Sequence, residues 1–195
     1  MPCPEKFRES LLRFQVPQEM IQRVNEGYED LVSSSPVQRR AAYFQRATTI
    51  LAQSIDDGLM RRIYEWNACC KGGSREKASR AFARQYAALC VAERIEKIPE
   101  VPWMGLPRLE ADGSIVLNAV SLACGNGYGC ACTNFRTARG ERSVPKQYCY
   151  CCAGHFLHHY RMMLGVKLRL AEIVSSPLDS GGASPCVMRF TILPD

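Results

Sequence analysis

The segment YCYCCAGHFLHHY, Tyr148 to Tyr160, holds all three histidines of the chain and three of its eleven cysteines. Thiolates and imidazoles together are zinc ligands, and thiolates alone carry iron–sulfur clusters. On a helix turning about 100° per residue, Cys151, Cys152, His155, His158, His159 and Met162 fall within roughly a third of the circumference. Phe156, Leu157, Tyr160, Met163 and Leu164 take the opposite arc. A cysteine present only for packing belongs on the apolar arc, because a free thiol behaves as a small hydrophobe. Gathering thiols and imidazoles on the other face points to a metal.

Upstream, Cys130-Ala131-Cys132 and Cys149-Tyr150-Cys151 are two CxC pairs on either side of a hydrophilic loop, with Cys124 just ahead. Structural zinc sites are commonly built from such pairs, each giving two ligands. The reading assigns the metal to Cys130, Cys132, Cys149 or Cys151, and His155, with Cys152 a further ligand on the same face. Mixed sulfur and nitrogen ligation favours zinc; a four-thiolate iron–sulfur cluster is the alternative cofactor. A metal-free alternative also stands. Cys149-Tyr150-Cys151-Cys152 contains a CxxC at a helix start, where the helix dipole favours a redox thiolate. One turn beyond His155, His159 is expected to border a small-molecule cavity between the helix and the strand carrying Cys186.

Two further segments carry charge. ACCKGGSREK places Lys71, Ser74 and Arg75 at a helix N-terminus, where free amides beside cations hold a carboxylate or phosphate. Its spacing is not that of a Walker A loop. The expected ligand is thus a small molecule that can be anionic, and Cys69 and Cys70 either join the thiol cluster or pack. RTARGERSVPK carries Arg136, Arg139, Arg142 and Lys146 between the CxC pairs. Only Phe135 and Tyr148 lie near it for base stacking, and the net charge is a modest +6, so nucleic acid is not expected as a partner.

The elements that position these residues follow from periodicity and punctuation. Helix signals fill the first hundred residues: from Pro17 through Val32, from Pro36 on toward Trp66, and from a Ser74 cap to about Ile98. Pro99, Pro102 and Pro107 mark a boundary between a helical region, 1–98, and a mixed region, 99–195, packed as one unit. SIVLNAVSLA reads as a strand, CGNGYGCACTNF as loop, and Tyr148 onward as a helix stopped by Gly165. VKLRLAEIV alternates as a half-buried strand, and CVMRFTI returns as its partner after the turn SSPLDSGGASP. The fold class is α+β: a helical N-terminal half, then a small antiparallel sheet with a cysteine- and histidine-bearing helix.

Gly165, the strand Val166–Val174, Gly181–Gly182, and Cys186 with Phe190 resemble the C-terminal half of 4-vinyl reductase-type domains. There a helix ending in glycine is followed by a strand, a glycine turn and a Cys-x-x-x-Phe strand. The resemblance implies a small-molecule-binding module of sensory or accessory role. Ser175 and Ser176 stand where that family carries a cysteine. Taken whole, the chain looks like cysteine-rich bacterial families.

Composition frames the function. With 47% hydrophobic and 23% charged residues, the chain is of globular rather than disordered type. Pro2, Pro4 and the charges of MPCPEKFRES replace the apolar run of an export signal, and no stretch matches a membrane span. The expectation is a cytoplasmic protein without membrane attachment, whose thiols stay reduced. The resulting function is a metal-binding, small-molecule-binding or sensory protein. The alternative is a metal-dependent hydrolase or thiol oxidoreductase using the same cluster. Against catalysis, a catalytic zinc works with a nearby base, and the only acidic residue between Asp112 and Glu172 is Glu141.

Overall fold

The computed structural model describes residues 2–136 and 143–194; Arg139 and Arg142 of the basic loop lie outside the described residues. The chain is α+β. Its helical half comprises α1 (Pro4–Arg13), α2 (Gln18–Asn25), α3 (Val37–Ser54), α4 (Asp57–Trp66), α5 (Gly73–Gln85) and α6 (Val91–Lys97). Strands β1 (Leu106–Leu109), β2 (Ser114–Asn118), β3 (Ser121–Cys124) and β4 (Gly127–Cys130) follow. Helix α7 (Tyr150–Leu164) and strands β5 (Leu168–Ser175) and β6 (Val187–Ile192) complete it. Among the described residues no helix is long and apolar enough to cross a membrane.

The main sheet has the order β1-β2-β6-β5, antiparallel throughout, and β3–β4 form a separate hairpin. Register follows the hydrophobic pattern: Leu170 opposes Phe190 and Ile173 opposes Met188, and all four side chains are buried. Gly165 ends α7 in the left-handed conformation at φ 71°, where a residue with a Cβ would be strained. That stop turns the chain directly into β5.

Several helix expectations are corrected. The helix opened by Pro17 stops at Asn25 rather than Val32, because Gly27 turns the chain at φ 76° and the Asn25 side chain bonds back to the Ile21 carbonyl. The long helix toward Trp66 is two helices. Asp56 breaks it by capping α4, its Oδ1 accepting the Leu59 amide at 2.9 Å, the usual N-cap device. Ser74 is not a cap: Gly72 precedes α5 and makes no side-chain bond. That helix also ends at Gln85, and α6 starts after Cys90. Cys90 is exposed and Cys3 only partly buried, so neither thiol packs as a core hydrophobe. CGNGYGCACTNF, expected as loop, contains β4, because Gly125 at φ 59° makes the tight turn of a hairpin.

One buried cluster runs from Phe7 to Phe190. Its N-terminal centre is aromatic: Phe7 meets Phe44 at 5.4 Å and Tyr64 at 5.2 Å between ring centroids. Packing of α7 differs from a two-faced helix. Tyr150, Cys151, His155, Phe156, His159, Tyr160 and Met163 are all buried, since α7 contacts α4, α5, α6 and β5. Such a helix sits inside the protein rather than on its surface. The thiol- and imidazole-bearing face is therefore an internal face.

Candidate functional site

The chain enters α7 through a 3-10 turn, Lys146–Cys149. Within it the buried Tyr148 ring wedges between Phe44, Tyr64 and Phe135, at centroid distances of 5.8, 5.9 and 4.9 Å. That wedge fixes the register of Cys149, Cys151 and Cys152. One turn on, Gly154 lets α7 press against the end of α4, so that Cys69 and Cys70, just after α4, come alongside. Cys130 closes β4, Cys132 follows it, and Cys186 immediately precedes β6.

These eight cysteines line one cavity of about 280 Å³, with His155, Tyr148, Arg75, Arg136 and Trp103 also in its wall. That volume is an order of magnitude beyond what a single water requires. All eight thiols are free. Among the described residues no three Cys, His, Asp or Glu side chains are grouped closely enough to hold one metal ion. The sulfurs are instead spread around a shared void.

Local hydrogen bonds orient the sulfurs. Cys132 Sγ lies 3.2 Å from the Tyr148 hydroxyl, and the Cys132 amide donates to Cys130 Sγ at 3.4 Å. Cys149 Sγ donates to Ser176 Oγ at 3.2 Å. Burial pushes the Cys149 thiol up to about 11 and raises Cys130, Cys132, Cys152 and Cys186 as well, because a thiolate away from water loses its solvation. Cys69 is the exception. The neighbouring Cys151 sulfur holds it well below the ordinary thiol value, while Cys151, whose Sγ donates to the Asn67 carbonyl at 3.5 Å, is itself held above that value.

His155 is the unusual member of the wall. It is 4% exposed, yet neither ring nitrogen meets hydrogen-bond geometry with a partner, the Cys69 backbone lying only near enough to oppose the fall of its pKa. Loss of water pushes its pKa down to about 3, so the ring is neutral at physiological pH and keeps a lone pair. Buried polar groups are nearly always paired, and an imidazole with both nitrogens open is equipped for ligation.

His159 is placed differently from expectation. It is fully buried, and its Nε2 lies 2.9 Å from the Cys70 carbonyl while Nδ1 lies 2.8 Å from Ser79 Oγ on α5. A carbonyl only accepts, so Nε2 carries the proton; in the neutral ring Nδ1 is an acceptor beside the Ser79 hydroxyl, whose single proton is shared with the Arg75 carbonyl at 3.0 Å. Desolvation lowers the His159 pKa and favours that neutral form. Both nitrogens are engaged, and the ring stands between α7 and α5 rather than toward the sheet.

The expected anion site also divides. Arg75 lines the cavity. Lys71 reaches the Glu65 carbonyl at 3.4 Å instead, and Ser74 is exposed. Sequence reasoning left Cys69 and Cys70 open and assigned no role to Trp103 or Ser176; the adjacent cysteine pair at a helix end was the available signal. No family model, curated protein or solved structure matches the chain.

Proposed function

We propose that this protein binds a thiophilic metal cofactor in the cysteine-lined cavity and presents it to a small-molecule ligand, as a binding or sensory module. The observation that carries this reading is His155: a buried neutral imidazole with two open nitrogens, facing a void walled by eight thiols. Leaving such a group unsatisfied costs about 1–3 kcal/mol, a cost that a metal ligated at the ring would offset.

An iron–sulfur cluster is the preferred cofactor. In a tetrahedral zinc site every sulfur stands about 2.3 Å from one ion, whereas a cluster accepts thiolates from points well separated around its body. Sulfurs dispersed about a cavity of about 280 Å³ suit the second arrangement. Zinc is the second reading, favoured by the mixed imidazole and thiolate wall. The four ligands that either cofactor takes would be drawn from Cys130, Cys132, Cys149, Cys151, Cys152 and His155, with Cys69 and Cys186 as further candidates. The likeness of the C-terminal segment to small-molecule-binding domains agrees with a cofactor set in a cavity rather than in a closed knuckle.

The test is iron, zinc and acid-labile sulfide content of protein purified without oxygen. Iron and sulfide together support the cluster, and zinc without sulfide supports the second reading. Cys132→Ser and His155→Ala should each lower the content. Protein kept reduced throughout that carries no metal and takes up none on reconstitution would overturn both.

A further inference from the structure

The cavity has a mouth whose chemistry differs from its thiol wall. Arg75, in the first turn of α5, points its guanidinium at the Trp103 ring with 5.7 Å to the centroid. Both line the cavity, and so does Arg136. No Asp or Glu among the described residues is part of that wall. Among the described residues the Arg75 guanidinium forms no ion pair and no hydrogen bond, its one polar contact being the Trp103 ring. Apart from Arg75, Arg136 and the acid-shifted Cys69, the described wall consists of neutral side chains and thiols. An arginine with no carboxylate partner among the described residues, half-buried against a cavity, is an uncommon arrangement, because guanidinium groups in such places are normally paired with carboxylates.

Trp103 is held in place for this position. It is 60% exposed and adopts φ 70°, a left-handed conformation that bulky residues rarely take. The turn around it explains why. Met104 is fully buried, and its carbonyl accepts the Tyr160 hydroxyl at 2.6 Å. Gly105 follows at φ 70°, where a Cβ would stand 2.7 Å from the Asn118 carbonyl oxygen. Anchored on that side by α7 and β2, the backbone has to turn the indole outward over Arg75. Strain kept at a non-glycine residue beside a cavity is a common mark of a ligand site.

From this geometry we infer that the mouth is a subsite for a small carboxylate with a planar, unsaturated or aromatic body. The carboxylate pairs with the Arg75 fork, which matches two carboxylate oxygens at once. The planar body lies against the Trp103 indole, and Arg136 adds positive charge at the rim. The far end of such a molecule points toward the thiols and His155. This inference shares the cavity with the proposed function but does not depend on the metal, because the mouth residues are not among the proposed ligands.

The experiment uses benzoate as the probe and benzamide as its neutral isostere. In a Trp66→Phe background Trp103 is the only tryptophan of the chain, so its fluorescence reports occupancy of the mouth. Titrations are run on protein as purified and after metal removal, with metal content measured separately. Benzoate should bind at least tenfold more tightly than benzamide in both forms. Arg75→Gln should weaken benzoate at least tenfold and leave benzamide unchanged, with Arg75→Lys between the two. Should Arg75→Gln fail to fold, the benzoate-to-benzamide ratio in the parent protein decides. Equal affinities for the two probes, no binding of either, or an Arg75→Gln change confined to metal content with benzoate binding retained would each overturn the inference. The last result would make Arg75 a counter-charge of the cofactor. Absence of metal with benzoate selectivity intact would count against the proposed function alone.

Discussion

Gly154 of α7 lies against Glu65 of α4 so closely that a Cβ at position 154 would stand 2.9 Å from the Glu65 Cα and 2.8 Å from the Ala68 Cβ. This contact sets how near the two helices approach, and with it the placement of Cys69 and Cys70 beside the first turn of α7. Alanine in a helix interior is ordinarily favoured over glycine by about 1 kcal/mol. Here the obstruction is backbone, which cannot swing aside, so Gly154→Ala should instead destabilise by about 1–3 kcal/mol. Denaturant unfolding measures this, and a variant as stable as the parent would show that α4 yields at no cost.

His155 should behave oppositely in the two forms of the protein. Without metal, its open nitrogens are a burden, so His155→Leu should be neutral or stabilising by about 1 kcal/mol. In protein carrying the cofactor the same substitution should lower metal content and thermal stability together, because metal binding contributes to folding free energy. Paired melting curves before and after metal removal give the answer. The same loss in both forms would remove His155 from the ligand set.

His159 is held by α5 and the loop after α4, not by the cavity. His159→Ala leaves a void and strands the Cys70 carbonyl, which should cost about 2–4 kcal/mol with metal stoichiometry unchanged. Metal analysis beside thermal melts tests this. A drop in metal at preserved stability would place His159 among the ligands.

Asp56 caps α4 through the Leu59 amide, far from the thiols in the sequence. Asp56→Ala should cost about 1 kcal/mol by chemical denaturation and leave benzoate binding as it was. If cofactor content fell with it, the end of α4 would have to be coupled along its length to the cavity.

The parts of this fold legible in the sequence are those fixed by neighbours along the chain. Alternation of Val166, Leu168 and Leu170 against Lys167 and Arg169, and the stop at Gly165, gave β5 and the end of α7, since period and left-handed φ are local properties. The boundary at Ser54–Asp57 was legible too, because Asp56 is an N-cap residue, but the apolar periodicity that continues across it outweighed the cap. The gathering of thiols and imidazoles on one arc of α7 was likewise written in the spacing.

What that arc faces was not. A helical wheel orders residues around an axis and says nothing of which neighbour each direction meets. Tertiary packing turned His155 into a cavity and His159 into α5, although the two differ by about 40° on the wheel. It also brought Cys69, Cys70, Arg75 and Trp103 to the same void from 30 or more positions away in the sequence. Such convergence depends on how closely α4 and α7 approach, a distance set by the missing side chain of Gly154 and by the aromatic wedge at Tyr148. Sequence by itself determined that this protein concentrates thiols and imidazoles on one helix; the packing of that helix on all sides decided that they enclose a cavity with a cationic mouth.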